Sequence, residues 1–341
     1  MQTGTDWLMP LIAALSAMAM VAFLASLLIR RCAPWIVSTR LRVYLGAVVL
    51  AVVATLLMPF GLWLVGGLVV VLALRRGPVP EGRIATLGAV MLVWWLFRGG
   101  IGPVPAVLIA AAATVPALLL GRLVARGGSL NLVFQLATLA AIGFVLLVHA
   151  VLSDPPGVWR PMLEQAAAEL DRMGAVMSTT GLARMQEAEF IQASAERMWG
   201  AVTWVLLLTS MISVFLGIYW DGRIEQKIRL GPLFRQLSAG RTLAAGAVIA
   251  LAASIVFRSG VATDAALVLL GAFVLQGLAV VHSVQYAYGL SGAWLVAPYA
   301  LIFGGFTTAI MLIALAVSGF IDNWLPLRRR LPIPPGGTAG G

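Results

Sequence analysis

The sequence predicts an all-α fold, a polytopic transmembrane helical bundle of about 9–11 spans with an external amphipathic helical hairpin. Three observations predict it. Apolar stretches, each about long enough to cross a bilayer, follow one another almost continuously from Trp7 to Phe320. Short breaks bearing arginine, or glycine and proline, separate most of them. Hydrophobic residues make up 61% of the 341 residues and charged ones only 11%, with a mean hydropathy of +0.99; soluble domains carry roughly a quarter charged residues. A hydrocarbon core of ~30 Å takes about 20 residues of helix and leaves no water for the backbone, so helices that bond within themselves are what these segments allow.

The formal charge of +10 would suggest nucleic acid in a soluble chain. Here the arginines sit at the ends of apolar runs, the pattern of cytoplasmic loops facing anionic lipid. No basic run is interleaved with aromatics as a strand-binding groove requires, which argues against nucleic acid as a partner. The single cysteine, Cys32, excludes an internal disulfide and any multi-cysteine metal site; beside Arg30 and Arg31 it reads as a small residue at a membrane boundary.

The first span, Trp7 to Leu28, lies in an extra N-terminal segment (residues 1–31). Arg30, Arg31, Arg40 and Arg42 follow it and no basic residue precedes it, so its N-terminus is expected outside, and the helix is retained rather than cleaved. Val43 to Leu74 would be ~48 Å long as one helix, too long for an upright span. Pro59 should split it into two, returning Arg75 and Arg76 to the side of Arg40 and Arg42. A Pro/Gly turn at Gly77 to Arg83 precedes spans at Ile84 to Phe97 and Val104 to Leu120, hinged at Gly99 to Pro103. Arg122 and Arg126 mark the next inside return, and Leu130 to Leu152 crosses outward.

Ser153 to Met198 holds seven acidic residues against four arginines and is expected outside as two amphipathic helices. Leu163, Ala166, Ala167, Leu170, Met173 and Met177 recur at helical spacing in the first; Leu182, Met185, Ala188 and Ile191 do so in the second. A hairpin packed on the headgroups and a lid over the bundle are both compatible with that pattern. Thr203 to Ile218 returns inside, where Asp221 to Arg241 carries five basic and two acidic residues. Arg223, Arg229, Arg235 and Arg241 make this loop the expected partner-binding surface. Spans near Leu243 to Phe257, Ala265 to Tyr288 and Ala293 to Phe320 close the membrane part (residues 242–330), and residues 331–341 form a Pro/Gly-rich tail expected to be disordered. Ten strict crossings would leave Arg328, Arg329 and Arg330 outside, against the charge rule. Either one late segment is re-entrant or split, with the block interrupted by Gly304 and Gly305 the first suspect, or one early segment does not fully cross.

Polar side chains inside a span are costly and therefore candidate sites. Gln276, His282 and Gln285 form the best cluster. His282 and Gln285 share a helix face, with Gln276 about 120° round from His282. An imidazole among amides suits a polar ligand or a proton relay; hydrogen bonding between packed spans is the competing reading. His149 reads as a lone interfacial histidine, and Gln135 and Asn131 as helix-end groups. Asp221, Asp264 and Asp322, at span ends, read as solvated, with pairing to nearby arginines as the alternative. No nucleophile elbow, P-loop or paired intramembrane carboxylates appear, so no catalytic residue, metal or cofactor is expected, and an enzyme is not.

Several stretches together resemble one family. They are Leu74-Arg75-Arg76-Gly77-Pro78, Trp159-Arg160 through Leu163-Glu164-Gln165, Tyr219-Trp220, Leu237 through Gly240-Arg241, Gln276-Gly277-Leu278-Ala279-Val280-Val281-His282, Trp294-Leu295-Val296, and Asp322-Asn323-Trp324 with Arg328-Arg329-Arg330. They look like the YybS-type family of uncharacterised bacterial inner-membrane proteins, over about Arg42 to Leu331. The first span is an addition to that pattern, and Asp221 to Arg235 lacks the asparagine-proline-glycine stretch of relatives. The resemblance implies a fold related to the S components of energy-coupling-factor transporters, with residues 42–220 as a six-span core. Two functions follow as expectations. One is a component that binds or transports a small vitamin-like or hydrophobic solute with a membrane coupling subunit. The other is a non-transporting scaffold or regulatory subunit that recruits envelope proteins through the 221–241 loop.

Overall fold

The computed structural model describes residues 31–56, 62–75, 80–98, 103–172, 181–224, 229–303, 307–325 and 327–332. The Trp7 to Leu28 span, Pro59, the glycines at 99, 100, 102, 304 and 305, Met173, Met177 and the tail beyond 332 lie outside them. The described residues are helical, with no strand among them. Among the described residues are thirteen α-helices: α1 (Arg40–Leu56), α2 (Leu62–Arg75), α3 (Glu81–Arg98), α4 (Pro103–Ala125), α5 (Leu130–Val151), α6 (Arg160–Arg172), α7 (Gly181–Ala195), α8 (Met198–Ile224), α9 (Leu230–Arg235), α10 (Gly240–Val256), α11 (Gly260–Ala287), α12 (Val296–Phe303) and α13 (Thr308–Asp322). Among them α5, α8 and α11 are long and apolar enough to cross a membrane. Side chains such as Ile249, Ile255, Phe257 and Ile310 stand 64–76% exposed, an outward apolar surface suited to lipid.

The apolar block around Pro59 is two helices, α1 and α2, and the 153–198 insertion contains the two expected helices α6 and α7. Two boundaries differ from the sequence reading. Helix α8 runs on past Ile218 to Ile224 because Asp221, expected in a solvated loop, is buried and paired. The rest of the 221–241 loop includes the short helix α9. The last apolar block carries two helices, α12 and α13, the split that the sequence offered as one alternative; at eight residues, or ~12 Å, α12 is too short to cross a bilayer alone.

The chain divides into two compact units, one of residues 31–137 and 206–238, the other of residues 138–205 and 239–332. In the first, α2 packs on α1, α3 and α4, burying Leu64, Val65, Leu68, Val69, Leu72, Val43 and Ile84 with Trp220 of α8. Glycines let α2 and α8 approach. A Cβ on Gly66 would lie 2.2 Å from the Ser213 hydroxyl, and one on Gly217 would lie 2.4 Å from Val70. Helix α4 ends on Gly127 at φ +86°, where Gly127 N–H donates to the Val124 carbonyl and Gly128 N–H to that of Leu123, a left-handed stop that glycine adopts without strain.

In the second unit α11, 28 residues and ~42 Å long, is the axis. Helices α10 and α13 both pack on it. Gly277 and Gly319 bring α11 and α13 into backbone contact: a Cβ on Gly277 would stand 2.0 Å from the Leu315 carbonyl oxygen, and one on Gly319 would stand 2.2 Å from that of Phe273. The pairing of 273 with 319 and 277 with 315 makes the two antiparallel. Helix α10 therefore lies along the first half of α11 and α13 along the second, so the end of α13 meets the start of α10.

Candidate functional site

That meeting point is built from polar groups. The first backbone N–H groups of a helix have no partner within it, and Ala239, at the N-cap of α10, has no side chain to offer them. Acceptors from the neighbouring helices take over. Ala239 N–H donates to Gln276 Oε1 at 2.8 Å and Gly240 N–H donates to Asn323 Oδ1 at 3.0 Å. Gln276 is wholly buried; its Nε2 donates to Asp322 Oδ2 at 3.1 Å, and Asn323 Nδ2 donates to its Oε1 at 3.3 Å. The Asp322 carboxylate also accepts from Arg328, through Nε at 2.9 Å and through Nη2. Arg241 Nε reaches the Asn323 carbonyl at 3.3 Å. The anion near the N-terminus of α10 is favourably placed against the helix dipole. Arg328 thus lies beside the start of α10, so the arginine triplet shares the side of Arg241.

The other two residues of the sequence cluster lie elsewhere on α11. His282 donates from Nδ1 to the Leu278 carbonyl at 2.8 Å, and its Nε2 faces the Tyr299 hydroxyl at 3.5 Å, with the rings edge-on. Gln285 sits in the last turn. Its side chain donates to the Leu290 carbonyl, and its own carbonyl accepts from Leu290 N–H at 3.0 Å, closing the helix around Gly289 at φ +61°. Each of the three has its own hydrogen-bond partners.

Asp221, Asp264 and Asp322 are 5%, 0% and 7% exposed, which corrects their reading as solvated ends. An ionised carboxylate is buried only with a partner, and each has one. Arg75 Nε donates to Asp221 Oδ1 at 2.9 Å, and Arg328 meets Asp322. Asp264 takes a histidine instead. Its Oδ2 lies 2.8 Å from His149 Nε2, and its Oδ1 accepts from Gly200 N–H at 2.8 Å. His149 is accordingly one half of a buried pair and not a lone interfacial ring. The partners lie 146, 115 and 6 residues away in sequence, so only Arg328 could be guessed from proximity. Asn131 Oδ1 accepts from Ser238 N–H and Gln135 Nε2 donates to the Ser238 carbonyl, so both bind the chain ahead of α10.

Of the four arginines of the 221–241 stretch, Arg223, Arg229 and Arg241 are exposed and Arg235 is half-buried. Arg329 and Arg330 are exposed as well. Among the described residues no three histidine, cysteine or acidic side chains come together in a way that could hold a metal ion. No protein-family model matches the chain, and no curated protein or solved structure does either.

Proposed function

We propose that the protein is a multi-pass helical bundle of the bacterial inner membrane that works as a non-transporting scaffold or regulatory subunit, recruiting envelope partners through exposed arginines. The observation that carries this reading is where the polar groups go. Gln276, Asp322, Asn323 and Arg328 bond to one another and to the start of α10, whereas Arg223, Arg229, Arg329 and Arg330 face solvent. A solute-binding component needs buried polar groups turned towards the solute; here the amides suited to that task close helix ends. Exposed arginines beside apolar helices suit anionic headgroups and acidic protein surfaces.

The competing reading, a binding or transport component for a vitamin-like or hydrophobic solute, rests on the family resemblance and the six-span core expected over residues 42–220. One experiment separates the two: cross-linking and mass spectrometry in native membranes, with Arg223, Arg229, Arg235 and Arg241 changed together to Ala as the control. Capture of envelope or biosynthetic proteins that the variant loses supports the scaffold. Capture of a transmembrane coupling subunit with ATPases overturns it in favour of transport. A reporter fused after Arg330 should be cytoplasmic, since Arg328 and Arg241 share one end of α10.

A further inference from the structure

The His149–Asp264 pair joins three helix ends and has no part in the scaffold reading. His149 is in the last turn of α5, Gly200 is the third residue of α8, and Asp264 the fifth of α11. Two helix N-termini favour a negative charge at Asp264, and one C-terminus favours a positive charge at His149. The contact leaves no slack. A Cβ on Gly200 would stand 2.7 Å from both Cα and Oδ1 of Asp264.

The 153–198 hairpin is tied to the same point. Trp199, next to Gly200, stacks edge-on against Trp159 at 5.2 Å and Phe144 at 6.3 Å, and its indole N–H donates to the Pro155 carbonyl at 3.0 Å. Arg160 Nε donates to Gln192 at 3.1 Å across α6 and α7. The Gly200–Asp264 bond therefore fixes the backbone beside Trp199, against which Pro155 and Trp159 pack.

We propose that His149 and Asp264 form a proton-binding site whose protonation holds Pro155 and Trp159, at the start of the 153–198 insertion, against Trp199 of α8. The side chain of Asp264 is 1% exposed and that of His149 13%, so protons enter by the histidine edge. Nε2–H donates to Asp264 in either charge state, and the proton is taken up from solvent, or returned to it, at Nδ1. Thr203, one turn beyond Gly200 on the same face of α8, has a buried hydroxyl without a hydrogen-bond partner among the described residues, as does the buried indole N–H of Trp159. With His149 protonated the junction is an ion pair between helix ends of the matching sign. Loss of that proton leaves a buried carboxylate without a counter-charge and weakens its hold on Gly200 N–H. The junction is thus tight with His149 protonated and looser without that proton.

The charged groups nearest this junction in sequence lie at the solvent edge: Asp154 and Arg160 at the start of the hairpin, Glu196 and Arg197 before α8, and Arg258 before α11; Glu164, Glu169 and Glu189 of α6 and α7 are exposed. Arg160 stands 4.0 Å from Asp154. None of them is buried.

Hydrogen exchange on the full chain in lipid nanodiscs, corrected for the intrinsic rate, tests this from about pH 5 to about pH 9. Peptides covering 188–205 should lose about tenfold in protection across one single-proton transition, the difference between a charge-assisted and a neutral hydrogen bond. Peptides within 62–75 should not change. In His149→Gln, which keeps a neutral donor, the transition should vanish and the low protection should persist throughout. The chain has only two histidines, so the ring resonances, assigned with His282→Gln, give the His149 midpoint directly, and it should coincide with the exchange transition. Flat protection in the wild-type chain, a transition that survives His149→Gln, or a His149 midpoint that does not coincide would each overturn the proposal, even if the variant failed to fold.

Discussion

Replacing Gly277 with alanine tests the packing of α11 on α13 at its tightest point. The new Cβ would stand 2.0 Å from the Leu315 carbonyl oxygen, 2.6 Å from its carbonyl carbon and 2.9 Å from its Cα. All three are backbone atoms, so no side chain can turn aside, and ordinary contact begins near 3.4 Å. The helices must part by more than 1 Å here. A radial gap of that size forfeits about half of the dispersion attraction across it, and overpacking of this kind costs ~1–3 kcal/mol. Alanine returns up to ~1 kcal/mol through its higher helix propensity, leaving a net loss of about 2 kcal/mol. Gly246→Ala is the reference, because a Cβ on Gly246 meets nothing within 4 Å and should gain up to ~1 kcal/mol. The propensity gain is common to both, so reversible unfolding in mixed micelles, followed by circular dichroism, should separate the two variants by the overpacking cost, ~1–3 kcal/mol. Equal stabilities would refute the close antiparallel contact, and with it the end-to-end placement of α13 and α10.

Gln276→Leu, similar in size, should cost about 3 kcal/mol in the same assay, since it strips Ala239 N–H and the Asp322 carboxylate of a buried partner. Arg75→Ala should cost about 3 kcal/mol by leaving the buried Asp221 carboxylate without its arginine, and Arg75→Ala with Asp221→Ala together should cost less than the sum of the two single changes. The Arg122 side chain, hydrogen bonding to Glu81 at 2.8 Å, holds the Glu81 carboxyl below its ordinary range despite an opposing effect of burial. Glu81 lies ahead of the apolar part of α3. Its contribution, present at neutral pH and lost as pH falls through the lowered folded value, should be under about 1 kcal/mol because the pair is partly exposed; Glu81→Gln should flatten the acid limb of stability against pH by that amount.

The helical class and the long apolar helices α5, α8 and α11 were legible because they depend on residue types summed over windows of about 20 residues, a sum that stays high whatever the neighbours are. The break between α1 and α2 and the two hairpin helices α6 and α7 were legible for a similar local reason, in proline and in amphipathic spacing. Helix ends were not. Asp221 ends the apolar run in the sequence yet lies inside α8, because Arg75 across the unit neutralises it; hydropathy registers the charge and has no access to the partner. Gln285 looked like an intramembrane amide and acts as a clasp on Leu290, a role set by the left-handed turn at Gly289.

The same physics explains why the polar cluster was half recognised. Gln276 stood out because a buried amide in an apolar helix is expensive, and that cost demanded partners. What the one-dimensional pattern lacked was the stacking of α13 on α10. A helix whose N-cap is alanine needs acceptors from somewhere, and Ala239-Gly240-Arg241 opening an apolar run without serine, threonine, asparagine or aspartate at the cap is itself a signal that the cap is supplied from elsewhere. Asn323 and Gln276 answer it from two other helices. Read in that direction, an uncapped helix start and an amide stranded in an apolar span are complementary deficits. Each is costly alone, and the fold that brings them together removes both. Asp264 and His149 solve a matching problem with charge: two helix N-termini and one C-terminus meet, and a carboxylate and an imidazole stand where the ends call for opposite signs.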